Sequence, residues 1–362
     1  MMSYDIRPYQ PGDEAEIIEL LKSAFPTWAE SDKALDEWRW RYLDCPLKSD
    51  IAVAEYDGHV VGVNHSLRLY IKFGNNSILS ELEGNTVVDP DHRGKGLYTK
   101  MLDLTNKMTN ENNVNFILWS SSNPIIISDD SKRGHRIFPP PISYMVRIRN
   151  VDTHLKAKTS EYAAVKKYGF LLLKTINRIG NTVGPSEQIN AGDVTIEDVP
   201  SFTGATDAFW SKAREYYNYA IERNRLYLNW RYGDPRGGEY VIKQAMRDDR
   251  VLGYVVLEFK NRGGYREGYI ADILASPERS DVAYALMEEA CDYFDRLNVN
   301  ATYFWAAKNH PYIGLAERHG FIDSRYHMYI ACRFRIDGGE FNLLESSPPN
   351  KIHFQFGDID RF

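Results

Sequence analysis

Apolar and polar positions along the chain follow two periods. Ile17, Ile18, Leu20, Leu21 and Phe25 fall on one stripe and predict a helix over residues 14–25. Residues 51–56 and 59–69 read as two strands joined at Asp57-Gly58, a hairpin signal. A strand is predicted over 79–88, and Leu97, Met101, Leu104 and Met108 give helical spacing over 97–108. Residues 115–120 (Asn-Phe-Ile-Leu-Trp-Ser) read as a buried strand, and 143–149 as the strand that closes this first unit. Farther on, Tyr162, Val165, Tyr168, Leu172 and Ile176 predict a basic linker helix, followed by a hinge at 181–186. Near the end, the alternation of Ile352, Phe354 and Phe356 predicts an added strand. Asp358 and Asp360 are expected in a solvated terminal turn.

The pattern then repeats. Trp40 in Leu35–Pro46 returns as Trp230 in Leu226–Pro235, an offset of 190, and Gly62 in Val60–Asn64 returns as Gly253, an offset of 191. Asn123 with Gly134 answers to Asn309 with Gly320. A near-constant offset across separate segments marks a tandem duplication.

Between the strand at 79–88 and the helix from Leu97 lies Asp89-Pro-Asp-His-Arg-Gly-Lys-Gly96. A strand that passes through such a loop into a helix N-terminus builds an anion site. Free backbone N–H groups converge there with the positive end of the helix dipole, and glycine admits close approach. Arg93 and Lys95 add positive charge. The loop lacks the Gly-Lys-Ser/Thr ending of a nucleotide-triphosphate loop, since Leu97 follows Gly96. Nor do its two glycines make a dinucleotide fingerprint.

Val88-Asp-Pro-Asp-His-Arg-Gly-Lys-Gly96 closely resembles the acyl-CoA loop of the GCN5-related N-acetyltransferases (GNAT), Val-x-Pro-x-x-Arg-Gly-x-Gly after a strand. The resemblance implies an α/β (mixed α+β) chain of two tandem domains, each a mostly antiparallel twisted sheet flanked by helices. It implies direct transfer of an acyl group, expected to be acetyl, from coenzyme A to an amine acceptor bound between the domains. Cofactor contacts then fall to Val87, Val88, His92, Arg93, Gly94, Lys95, Gly96, Leu97 and Tyr98, and to Asn123, which matches an Asn of the family beside the pantetheine arm. Asp91 stands where the family often has Gln or Arg, so Arg93 is expected to supply that charge. Asp130 replaces the family's frequent Tyr before Gly134, so no general acid is carried over there.

The resemblance also places a backbone amide of Val87 or Val88 against the thioester carbonyl, and a Glu base on the same strand. Side-chain alternation puts Glu81, Glu83 and Asn85 on one face, which makes Glu83 the first candidate base and Glu81 the second. Tyr98 and Tyr144 are candidate proton donors to the leaving thiolate. In the second copy, Leu274-Ala-Ser-Pro-Glu-Arg-Ser-Asp281 replaces the loop without a glycine, and Asp281 would repel a phosphate. Only the first copy is expected to bind cofactor. The expected organisation is a GNAT domain with the acyl-CoA loop over 1–150, a linker over 151–190, a domain without that loop over 191–336, and a tail over 337–362.

Charge narrows the partners. A net charge of −6 gives no general footprint for nucleic acid, which sets aside the aminoacyl-tRNA-dependent relatives of similar tandem build. The remaining alternative is a non-catalytic acyl-CoA-binding or scaffolding protein. Cys45, Cys291 and Cys332 are odd in number and far apart, without metal-ligand spacing or a disulfide framework. With no signal-peptide core and no apolar run long enough to span a membrane, a reducing cytoplasm is the expected location. The expected partner is a small-molecule or peptide amine; the acceptor's identity and the oligomeric state stay open.

Overall fold

The structure, a computed structural model, describes residues 3–121, 135–139, 141–149, 154, 192–324 and 329–359. The chain divides into two compact units. The first comprises residues 1–138, 329–342 and 359–362; the second comprises 139–328 and 343–358.

In the first unit, strands β1 (Asp5–Pro8), β2 (Asp50–Tyr56), β3 (His59–Phe73), β4 (Asn76–Val88) and β5 (Phe116–Ser121) follow one another across a mixed sheet. The hairpin between β2 and β3 turns at Asp57 and Gly58, both at positive φ, as the sequence predicts. Helices α1 (Glu14–Ala24), α2 (Pro26–Ala29) and α3 (Ala34–Tyr42) cover one face of this sheet. Their Ile17, Leu21, Trp28 and Trp38 pack on Ile51, Val53, Val63 and Val87. Helix α4 (Leu97–Glu111) covers the other face and sets Leu97 and Met101 on Ala52, Ala54 and Val61. The strand period of two explains the division, since alternate residues of β2 and β3 point to opposite helices.

The second unit begins with β7 (Ile142–Ile148), after the two-residue β6 (Arg136–Ile137) of the first. It continues through β8 (Thr195–Val199), α5 (Gly204–Ala213), β9 (Tyr219–Ile221), α6 (Arg225–Leu228), β10 (Tyr240–Arg247), β11 (Arg250–Arg262) and β12 (Tyr265–Ala275). Helix α7 (Ser280–Arg296), β13 (Ala301–Ala307), α8 (Pro311–Arg318) and β14 (Ile322–Asp323) complete the main run. Its seven-stranded sheet has the order β14-β7-β13-β12-β11-β10-β8. The repeat read from the sequence has a physical counterpart in its glycines. Gly62 on β3 leaves room for Met101 of α4, and Gly253 on β11 leaves room for Leu286 of α7.

Two expectations are corrected. The strand predicted to close the first unit belongs to the second, where Ile148 to Ile142 run antiparallel to Ala301 to Ala307 of β13. In the first sheet its place beside β5 is taken by β15 (Tyr329–Phe334), which also pairs with β6. A domain boundary at residue 150 therefore gives way to an exchange of closing strands between the halves, and the second domain does not extend unbroken to 336. Both β7 and β15 are short apolar runs, and period alone does not say which sheet claims them.

The tail is the other correction. It forms helix α9 (Glu340–Ser346), and Ile352 makes a single parallel bridge to Tyr219 where a strand was expected. Asp358 is buried, and both of its oxygens accept from Arg223 Nη2, at 2.7 and 2.8 Å. Arg223, itself fully buried, also donates from Nε to Asp272 Oδ2 at 3.0 Å. A guanidinium removed from water needs such partners, and losing one costs about 3–5 kcal/mol. Asp360, Asn123, Asp130, Gly134 and the predicted linker helix and hinge lie outside the described residues.

The two sheet glycines give a graded prediction. A Cβ on Gly253 would lie 2.7 Å from the Leu274 carbonyl oxygen, which is backbone and cannot swing away. A Cβ on Gly62 would meet the mobile end of Met101, with Cε at 3.2 Å. Gly253→Ala is expected to cost about 1–3 kcal/mol by overpacking, and Gly62→Ala less. Denaturant unfolding of the two variants checks the order, and equal losses would contradict it.

Candidate active site

Among the described residues, strand β4 pairs in parallel with β5 through Ser80–Leu82 against Phe116–Leu118. Beyond Leu82 the two strands part, while β4 runs on to Val88 along β3. The register with β3 jumps in that stretch: Val63 faces Val87, but His65 faces Gly84. Asn85, at φ +50°, sits in the extra turn of chain and makes a β-bulge.

The bulge is fastened on both faces. On one, His65 is fully buried, and its Nε2 accepts from Trp38 Nε1 at 2.9 Å. Its Nδ1 therefore carries the proton and donates to the Asn85 carbonyl at 3.0 Å. Burial pushes this imidazole down to about 3, so it stays neutral. Trp28 Nε1 donates to Asn85 Oδ1 at 3.3 Å, and Asn85 Nδ2 donates to the Tyr42 hydroxyl at 2.7 Å. Tyr42 in turn stacks on His65 with ring centroids 4.2 Å apart. On the other face, Thr86 donates to Asn64 Oδ1, and Asn64 Nδ2 donates to Thr105 of α4 at 3.0 Å.

After the bulge, Thr86, Val87 and Val88 line a cleft of about 530 Å³ together with Ala24, Phe25, His92, Arg93, Gly94, Gly96, Leu97 and Tyr98. Gly94 and Gly96 both lie at φ +74°, where a side chain is strained, and open space stands over each. Gly96 is the N-cap of α4 and supplies no side-chain cap, which leaves the first-turn N–H groups for a ligand. Arg93 Nε donates to the Val88 carbonyl at 3.1 Å, which holds its guanidinium beside the cleft. His92 Nδ1 is 3.1 Å from the Tyr4 hydroxyl.

The structure thus brings together eight of the residues expected to hold cofactor: Val87, Val88, His92, Arg93, Gly94, Gly96, Leu97 and Tyr98. Lys95 is exposed on the same loop but does not line the cleft. Tyr144 lies on β7 of the second unit, packed among Tyr303, Trp305 and Phe356, and is not among the cleft-lining residues. Asn85 does not share a face with Glu81. The bulge turns it toward Trp28 and Tyr42, whereas Glu81 faces Thr109 of α4.

Glu83 is half-buried on the stretch of β4 that has left β5. Glu81 is fully buried, and its environment differs. Burial first, and then the neighbouring Asp50 carboxylate, push its pKa up to about 8. Thr109 Oγ1 stands 2.7 Å from Glu81 Oε2 and 2.7 Å from the Thr105 carbonyl oxygen. Thr109 donates to that carboxyl oxygen, which partly offsets the rise. Arg68 pairs with Asp50 and reaches Glu81 Oε1 at 3.5 Å.

The second unit treats the same positions differently. Val88 faces Gly62, and Ala275 faces Gly253, so the ends of β4 and β12 correspond. The Ala275 amide donates to the Tyr312 hydroxyl at 3.0 Å. At the start of α7, Arg279 grips Asp281 at 2.6 Å and Asp193 at 3.0 Å. Arg279 and the amides of residues 281 and 282 hold the Asp281 carboxyl below its ordinary range. A carboxylate of the chain therefore already occupies the helix start that Gly96 leaves open in the first unit.

Comparison with known proteins agrees with this geometry. A model of the acetyltransferase (GNAT) domain matches residues 5–128, and one of the acetyltransferase (GNAT) family matches residues 205–321. No curated protein matches the sequence. A GCN5-related N-acetyltransferase from Anabaena variabilis is similar in structure at 9% identity and a TM-score of 0.64, over 92% of this chain and 73% of that one. A probable N-acyltransferase from Enterococcus faecalis is similar at 10% identity and 0.61, over 92% and 73%. A tandem GNAT protein from the clavulanic acid biosynthesis pathway is similar at 14% identity and 0.58, over 92% and 98%. At these identities the likeness is one of fold. Among the described residues no helix is long and apolar enough to cross a membrane, and no group of three or more His, Cys, Asp or Glu is placed to hold a metal.

The state of Glu81 has a measurable consequence. Its pKa of about 8 in the fold exceeds the ordinary 4.5, so folding takes up a proton between those values. This group's contribution is fully present below pH 4.5 and is lost as pH rises toward 8. Glu81→Gln removes that slope. Denaturant unfolding at pH 5.5 and 8.5 is expected to show the variant gaining on the wild type at the higher pH. A gap that is the same at both would show that Glu81 ionises normally.

Proposed function

Because the chain is a tandem member of the GCN5-related N-acetyltransferase superfamily, we propose that its first unit is an acyl-CoA-dependent N-acyltransferase, with acetyl-CoA the expected donor. The observation that carries the reading is the contrast between the two helix starts. At α4 the amides after Gly96 open onto a cleft beside Arg93, whereas at α7 the chain's own Asp281 takes the equivalent place. Gly94 and Gly96 let the pyrophosphate approach the backbone, the α4 dipole favours its charge, and Arg93 pairs with it.

Each chemical requirement falls to a residue. The parting of β4 from β5 leaves the edge of Val87 and Val88 to polarise the thioester carbonyl. The acceptor nitrogen attacks the carbonyl carbon as Glu83, directly or through one water, takes a proton from it. The C–S bond breaks, and the thiolate leaves with a proton from Tyr98, whose side chain lines the cleft and is 46% exposed. Burial raises the Glu81 carboxyl and favours its protonated form, so the role of base falls to Glu83. The acceptor is an amine, either a small molecule or a peptide.

Calorimetry with acetyl-CoA tests the site. Arg93→Glu is expected to weaken binding at least tenfold, since it reverses a charge beside the pyrophosphate, and Gly94→Ala to weaken it by strain at a positive φ. Unchanged affinity in both would remove the loop from the site. Glu83→Gln is expected to slow thiol release roughly 10²-fold in an amine panel while binding holds. Binding without turnover of any amine, with Glu83→Gln silent, would point instead to an acyl-CoA-binding module.

A further inference from the structure

We propose that Asn85 is a positioning residue for the acyl group, held by Trp28, Tyr42 and His65 so that the amides after the bulge meet the thioester carbonyl. The proposal rests on the acyl-CoA reading of the cleft. Its own support is the number of bonds converging on one residue. The Asn85 carbonyl accepts a hydrogen bond from His65, its Oδ1 accepts one from Trp28, and its Nδ2 donates one to Tyr42. These partners come from β3, α2 and α3, so three separate elements fix one peptide unit of β4.

The need for this arrangement is local. A residue at φ +50° is strained unless its surroundings hold it, and Asn is among the few types with a side chain that tolerates the region. Past Leu82, β4 lacks the ladder to β5 that would otherwise keep its edge in line. The hydrogen bonds of Asn85 on one face, and of Thr86 through Asn64 to α4 on the other, replace that ladder. The cleft-lining run Thr86–Val88 begins at the next residue. Phe25 lines the cleft and is the N-cap of α2, which carries Trp28, so the helix that holds Asn85 starts at the cleft wall. His65 takes no part in proton transfer, since both ring nitrogens are engaged.

Acetyl-CoA and CoA differ in the acyl carbonyl, and comparing their affinities isolates what Asn85 positions without knowledge of the acceptor. Calorimetry on the full chain is expected to show the wild type preferring acetyl-CoA. Asn85→Gly keeps the positive φ accessible but removes both side-chain contacts. It is expected to cut the preference roughly fivefold, about the size of one hydrogen bond, with CoA affinity nearly unchanged. Asn85→Asp, which still accepts from Trp28 and can accept from a rotated Tyr42 hydroxyl, is expected to restore most of it. Equal weakening of both ligands, or no change in the preference, would overturn the role of Asn85. Failure of the wild type to bind either ligand would instead overturn the acyl-CoA reading itself.

Discussion

The geometry of the first unit depends on one interruption in one strand. β4 begins as an ordinary inner strand, paired with β3 and β5, and then carries a bulge at Asn85. A bulge bends and twists the strand that contains it, and here the bent part no longer follows β5. Thr86, Val87 and Val88, just past the bulge, line a cleft. The surrounding side chains keep the bulge in place, and the strand delivers the chain directly to the glycine loop and the start of α4.

The second unit fills the corresponding strand end and helix start with its own side chains. Its sheet has the same central order, and β12 likewise bulges, between Val256 and Leu257 of its partner strand. What differs is how the exposed groups are satisfied. Tyr312 takes the amide at the end of β12, Arg279 and Asp281 close the start of α7, and Arg223 with Asp358 fills buried space with an internal ion pair. Each of these is a bond within the chain, made at or near the end of β12 and the start of α7. Duplication preserved the packing that stabilises the fold, and the polar groups at the strand ends diverged.

Much of this was legible in the sequence, because the signals were local. The helix stripes, the Asp57-Gly58 turn and the Arg93-Gly-Lys-Gly96 loop each depend on neighbours a few residues away. The offset between Gly62 and Gly253 revealed the duplication, and the glycines prove to admit a helix side chain in both halves. The exchange of β7 and β15 was not legible, because an apolar strand does not encode which sheet it joins. The burial of Asp358 depends on Arg223, a partner 135 residues away. The bulge also broke the alternation that put Asn85 beside Glu81. A Gly84-Asn85 pair inside a strand was the available signal, since such pairs mark bulges. Trp28, Tyr42 and His65 are far apart in the chain, and only the fold gathers them on Asn85.

Of two equivalent strand ends and helix starts, we propose that only the first set receives the cofactor. Hydrogen exchange of the full chain with and without saturating acetyl-CoA tests it most directly. Slowed exchange is expected across residues 86–98 and none across 275–282. Slowing in the second stretch, or its absence from the first, would contradict it.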